Sequence, residues 1–225
     1  MFILLDTNIS FINHLFLQKK AGMTIAVWGN ESAFEELNTG QPGIEWLRPE
    51  TWDAFLDSGA QVLFNLEEPK TGRDYAKVTA PLFIHSVTAT SKQAKLPPTA
   101  IRINGWPGFL KRAHWEFAGT MTESHREALH ALAKQHTQVP DEPGFIAARI
   151  IAMIINEAYY AKGEQVSSEA DIDIAMKLGT NYPLGPFEWA RLIGLKKIHA
   201  LLSELSSIDP RYTPSPTLSQ EAANA

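Results

Sequence analysis

The chain is expected to fold as an α/β domain followed by an all-α domain, and three features of the sequence predict this. Up to about residue 140, short apolar runs of strand length alternate with stretches of helical periodicity or loop. From Phe145 to Ala161 the residues are almost uniformly apolar, broken only at Arg149, Asn156 and Glu157, as in a helix buried on more than one side. Beyond it, capping residues and rigid turns delimit further helices.

In chain order, Phe2 to Leu5 reads as a buried strand and Ile9 to Lys20 as a helix stopped by Ala21-Gly22. Thr24 to Trp28 is a second strand, completing a βαβ opening. Gln61 to Leu66, Pro81 to Ser86, Ala100 to Gly105 and Ala113 to Phe117 add strand-like runs, so the sheet should be mainly parallel and covered on both faces. Thr122-Glu123 supplies a capping hydroxyl and a first-turn acid for a helix, and Gln135 to Glu142 is linker, strand or both. Ser167-Ser168-Glu169 caps the helix after the apolar one. Tyr182 to Pro186 is a rigid turn before a helix over Phe187 to Ile193, and Gly194 and Asp209-Pro210 bracket a last helix, Lys196 to Ser206. The domains are thus expected at 1–140 and 141–212, with 213–225, rich in Pro, Ser, Thr and Ala, a mobile tail.

Composition narrows the function. With 225 residues, 44% hydrophobic, the chain can form an ordinary packed core, and a net charge of −5 without charged blocks favours neither nucleic acid nor anionic lipid as partner. The absence of cysteine removes disulfides, thiolate metal sites and thiol nucleophiles, and makes a cytoplasmic setting the default expectation. The opening MFILLDTNISF has no basic leader and loses its apolar run at Asp6, so neither a signal peptide nor a membrane span is expected there.

One ordered set of motifs is far more specific: PGFIAAR from Pro143, AMKLGTNYPLGPFEWARLIGL from Ala175 and DPRYTPSP from Asp209. In this order and spacing they resemble the C-terminal helical domain of the 3-hydroxyacyl-CoA dehydrogenase family. The resemblance implies a Rossmann-like dinucleotide-binding domain ahead of a helical domain that dimerises and closes over an acyl-CoA. It also fixes the positions at which the family's functional residues should stand.

Most of those positions hold another residue type. Counted back from Ala21-Gly22, the three glycines of the dinucleotide fingerprint fall on Asp6, Asn8 and Phe11, so the tight turn, the close approach of backbone amides to the pyrophosphate and the close helix packing are all lost. A carboxylate at position 6, ~4 Å from a phosphate charge, costs roughly 4 kcal/mol at an effective dielectric near 20, or about a thousandfold in affinity. The acid that holds the adenosine ribose is replaced by Gly29. In the catalytic dyad Glu116 stands at the glutamate position, but the histidine twelve residues before it is Asn104, and an amide cannot serve as general base. The asparagine of the family's Pro-Gly-Phe-Ile-x-Asn-Arg is Ala148, and the hydroxyl position falls near Thr88.

Other residues have ordinary explanations. Glu116 can point to solvent or pair with Arg112 or Lys111; His114 shares its strand face, though ~7 Å of strand separates them. His125, His130 and His136 lack metal-ligand spacing and are expected on the surface, so no metal site is expected. His85, at a strand end, is expected to be solvated or satisfied in the core, and Trp106 and Trp115 to anchor the core.

The sequence therefore points to a degenerate relative that lacks dinucleotide binding and turnover, a homodimer through its C-terminal helices with an acyl-CoA-like or protein ligand. The alternative is an active NAD(P)-dependent 3-hydroxyacyl-CoA dehydrogenase with a rebuilt site, in which Glu116 assists a relocated base such as His85 or His114.

Overall fold

The computed structural model describes residues 22–225 apart from 71–72 and 76–77. The expected strand Phe2 to Leu5, the helix after it and the fingerprint positions Asp6, Asn8 and Phe11 lie outside the described residues. The α/β domain comprises β1 (Met23–Trp28), α1 (Glu31–Leu37), β2 (Ile44–Leu47), α2 (Trp52–Leu56), β3 (Val62–Asn65), β4 (Leu82–His85), β5 (Ala100–Ile103), β6 (His114–Ala118), α3 (Glu123–Ala131) and β7 (Gln135–Gln138). The helical domain comprises α4 (Ala147–Gly163), α5 (Glu169–Thr180), α6 (Pro186–Ile193), α7 (Leu195–Ser206), a 3-10 turn at Pro210–Tyr212 and α8 (Pro216–Asn224).

Seven strands form one sheet in the order β2-β1-β3-β4-β5-β6-β7, parallel except where β5 meets β6. The central strands are short runs buried on both faces, as continuous apolar sequence demands. Phe64 and Phe83, opposite each other on β3 and β4, stack with centroids 4.3 Å apart. One face packs against Leu37, Leu110 and the apolar side of α3; the other covers Phe55, Tyr75 and Val78. Both edges of β1 are occupied, by β2 and β3, so β1 has no free edge for a further strand. The chain leaves β1 towards β2 on one side and returns to β3 on the other, which makes the carboxyl ends of β1 and β3 the switch point where open α/β sheets place ligands.

The dense motif of the helical domain is explained by its packing. Gly185 caps α6, and a Cβ there would lie 2.2 Å from the Asp173 carboxylate of α5. That buried carboxylate accepts from Phe187 N at 2.8 Å, Glu188 accepts from Gly185 N at 2.8 Å, and Lys177 pairs with Glu188 at 2.6 Å. Lys177, Gly185, Pro186, Phe187 and Glu188 together join α5 to α6. Helix α4 is the hub, burying Ala148, Ile151, Ala152 and Ile155 against α6, α7 and α8.

The segment after residue 213, expected to be mobile, differs from that reading. Ser215 caps α8, the Asn156 side chain accepts from Ser215 N at 2.8 Å and donates to Thr213 O at 2.9 Å, and Leu218 is fully buried. Its composition concealed a helix with one buried face, because few apolar residues are needed where α4 and α7 already supply the opposing surface.

The two domains are joined through Arg102 of β5. Its buried guanidinium donates to Ser86 O and Glu142 O, pairs with Asp141 and lies over the Phe145 ring, while Gly144 N donates to Val87 O at 2.7 Å. This fixes the start of the helical domain against the ends of β4 and β5.

Candidate active site

Asn104 and Glu116, the dyad positions, come from adjacent strands but do not act as a pair. Asn104 follows β5 and turns back on its own loop, its Oδ1 accepting from Trp106 N at 3.1 Å. Glu116, in the middle of β6, reaches neither solvent nor Arg112 as its main partner. Its Oε2 accepts from Ile146 N at 2.8 Å and its Oε1 from Ala147 N at 3.1 Å. The residue preceding α4, Ile146, has no side chain able to cap it, so this carboxylate satisfies amides that the helix itself leaves open. The cavity lined by Asn104, Glu116, Arg112 and Ala147 has a volume of about 30 Å³, room for about one water.

The other expected site residues lie elsewhere. Ala148 is fully buried in the helical core, and Thr88 is half-buried in the loop after β4; neither lines that cavity. His114 is exposed and bonds Thr137 Oγ1 at 2.8 Å rather than Glu116. His125, expected at the surface, is fully buried: its Nδ1 faces Thr122 N and Oγ1, and its ring meets Phe83 edge-on at 5.0 Å. It is the third residue of a capping box, a role that metal-ligand spacing does not reveal.

A larger cleft opens at the carboxyl ends of β1, β3 and β4. Its volume of about 320 Å³ lies within the usual range for a small-molecule pocket. Asn30, Glu68, His85, Gly105 and, from α7, Lys197 line it, so both domains contribute. His85 ends β4 and is 3% exposed. Its Nδ1 accepts from Gly105 N at 3.0 Å, which leaves the proton on Nε2, and Nε2 lies 3.4 Å from Glu68 Oε1. A Cβ on Gly105 would fall 2.8 Å from the His85 ring, so the glycine permits this contact.

Burial pushes the Glu68 carboxyl up to about 7, against smaller opposing effects of the Val87 amide, Lys197 and Arg102. Burial, aided by Lys197, pushes His85 down to about 3, so the imidazole is neutral at physiological pH. The pair is thus a neutral histidine beside a carboxyl poised between its two protonation states.

A second lobe of about 320 Å³ adjoins the first across the switch point, lined by Trp28, Gly29, Arg48 and Glu50 and sharing Asn30 and Glu67 with it. Gly29, the position at which the resemblance places the ribose-binding acid, lies in this lobe. Gly29 offers no carboxylate, and its missing Cβ would meet Leu66 Cβ at 2.9 Å. The amino end of α1, a helix of only seven residues, is already capped by Asn30 through Ala33 N at 2.9 Å and carries Glu31 in its first turn. Arg48 is engaged by Glu31 at 3.1 Å and by Gly29 O.

Sequence reasoning had not singled out Glu68 or Lys197. The available signal was Glu67-Glu68-Pro69, two acids placed directly after a buried strand. Lys197 gave none, since its approach depends on how the two domains meet.

Comparison with known proteins gives a consistent result. Residues 144–224 match the model of the 3-hydroxyacyl-CoA dehydrogenase C-terminal domain. The chain is 43% identical over 102 residues to the 3-hydroxyadipyl-CoA dehydrogenase of Escherichia coli K12, covering 43% of this chain and 22% of that protein. It is 38% identical over 143 residues to the 3-hydroxybutyryl-CoA dehydrogenase of Clostridioides difficile, covering 60% and 51%. The matched segments thus span about half or less of these relatives. The (S)-3-hydroxybutyryl-CoA dehydrogenase of Ralstonia eutropha has a similar fold, with a TM-score of 0.64 at 20% identity over 89% of this chain and 93% of that one.

Proposed function

Because the chain belongs to the 3-hydroxyacyl-CoA dehydrogenase family through its C-terminal domain, we propose that it handles 3-hydroxyacyl or 3-oxoacyl thioesters of coenzyme A in the cleft beside His85, at a site rebuilt away from Asn104 and Glu116. The observation that carries this reading is the engagement of both Glu116 oxygens by the amides of Ile146 and Ala147, which ties the dyad carboxylate to the start of α4, while Asn104 offers an amide and no base. Glu68 and His85 supply a proton-accepting pair in a cleft with room for an acyl group. The names of the matched relatives support the thioester class.

Of the two alternatives drawn from the sequence, the rebuilt site is the better supported, with His85 paired to Glu68 instead of Glu116. Oxidation of a 3-hydroxyl also needs a hydride acceptor. The fingerprint positions Asp6, Asn8 and Phe11 lie outside the described residues, and no hydride step is assigned. The second reading, thioester binding without turnover, is favoured by Asn104, whose amide cannot take the hydroxyl proton. The two readings separate in one experiment: calorimetric titration with acetoacetyl-CoA, followed by NADH consumption in its presence. Binding with NADH consumption supports a rebuilt oxidoreductase, binding alone supports the second reading, and no binding contradicts the thioester assignment.

A homodimer through the helical domain is part of the proposal. Ile146, Ile150, Ile174 and Leu178 are each at least half exposed, an apolar surface expected to be covered. Sedimentation should show a dimer that Ile150→Asp converts to monomer; a wild-type monomer would contradict this assignment.

A further inference from the structure

Among the described features outside the dyad positions, the lobe formed by Glu68, His85 and Lys197 combines most chemistry. Glu68 Oε1 lies 3.4 Å from His85 Nε2 of β4, and the same oxygen accepts from Val87 N at 3.3 Å. Arg102 of β5 acts on it through its charge, but that guanidinium is spent on Asp141 and on backbone carbonyls. Within the lining loop Lys70 is paired with Glu67, and Glu36 of α1 accepts from Gly108 N at 2.7 Å. Lys197 of α7 is the exception: it is exposed, lines the same lobe, and its ammonium has no hydrogen bond or ion pair among the described residues. One carboxyl and one uncommitted ammonium therefore face the cavity, while the other charges around it are satisfied.

Resting on the reading that this cleft takes a coenzyme A thioester, we propose that the lobe binds a 3-oxoacyl thioester as its enolate, with Glu68 receiving the C2 proton and Lys197 facing the enolate oxygens. In this step the C2–H bond breaks, its electron pair moves into the enolate system, and the proton bonds to a Glu68 oxygen; nothing is oxidised or reduced, so no hydride acceptor is needed. His85 is a positioning residue. Gly105 N occupies its Nδ1, its Nε2 lies 3.4 Å from Glu68 Oε1, and it stays neutral throughout. Burial places the Glu68 carboxyl near 7, where a carboxylate can both take and return a proton. An ammonium beside the lobe attracts developing negative charge, as it already does the Glu68 carboxylate.

The test is ultraviolet difference spectroscopy of the whole protein titrated with acetoacetyl-CoA, with calorimetry in parallel to match ligand saturation and butanoyl-CoA, which has no 3-oxo group, as control. The expected result is an enolate band on binding of acetoacetyl-CoA and none with butanoyl-CoA. The band should be lost in Glu68→Gln at matched saturation and weakened in Lys197→Met, a change at an exposed residue that leaves the fold intact. Binding to wild type without the band, or a band that survives Glu68→Gln, overturns the inference while the thioester reading stands. No binding to wild type overturns both.

Discussion

Replacing Glu116 separates a structural carboxylate from a catalytic one. Its two oxygens accept from Ile146 N and Ala147 N at the start of α4, at 2.8 and 3.1 Å. A hydrogen bond to a charged group contributes about 1.5–3 kcal/mol, and loss of a helix cap costs about 0.5–2 kcal/mol. The two ranges describe overlapping effects and are not summed. For a half-buried carboxylate that water can partly replace, Glu116→Ala should cost about 2 kcal/mol, and Glu116→Gln, which keeps one acceptor, about 1 kcal/mol. For a chain of this length the alanine variant should melt roughly 4–8 °C lower. Urea unfolding followed by far-ultraviolet circular dichroism measures both variants, with unchanged slopes showing that the native and unfolded ensembles remain comparable. A change below about 0.5 kcal/mol in Glu116→Ala, within the range of an ordinary surface substitution, would refute the capping role. So would a loss of thioester turnover in Glu116→Gln at unchanged stability.

Three further predictions follow from the packing. The raised Glu68 carboxyl means the fold favours its protonated form, so its contribution to stability is complete below about pH 4.5 and is lost as pH rises through about 7; Glu68→Gln should remove this component from the pH profile measured by chemical unfolding, and an unchanged profile would contradict the assignment. Gly105→Ala should displace the His85 ring, destabilise the protein by about 1–3 kcal/mol as an overpacked core does, and alter the imidazole resonances in NMR spectra; an unperturbed His85 signal would show that the loop yields instead. Leu218→Ala should cost about 2–5 kcal/mol if α8 is part of the folded core, and a cost near zero in thermal unfolding would restore the view of a mobile tail.

The strands of the α/β domain were legible because short apolar runs bounded by turn residues leave few alternatives: Val62–Asn65, Leu82–His85 and Ala100–Ile103 fall within the expected ranges. The helices after residue 145 were legible from their caps and from one dense motif. The sequence did not disclose that β1 pairs directly with β3, because strand order depends on long-range contacts that local periodicity does not encode. The site was legible only as replacement. Positions 104 and 148 could be recognised as altered, but the new role of Glu116 required the amino end of α4 to be placed against β6. His85 was visible as a histidine at a strand end. Its partner Glu68 comes from the neighbouring strand's loop and its polarising lysine from the other domain, so the cluster exists only after folding. The buried His125 was misread for a related reason, since a ring turned inwards to cap its own helix has the same sequence spacing as one facing water.

The central claim is that ligand engages the cleft beside His85 and not the space between Asn104 and Glu116. A crystal structure of the protein with acetoacetyl-CoA tests it directly. The account predicts density for the 3-oxoacyl group between Glu68 and Lys197, with Glu116 still bound to the amides of Ile146 and Ala147. Acyl density against Asn104, with Glu116 withdrawn from α4, would contradict it.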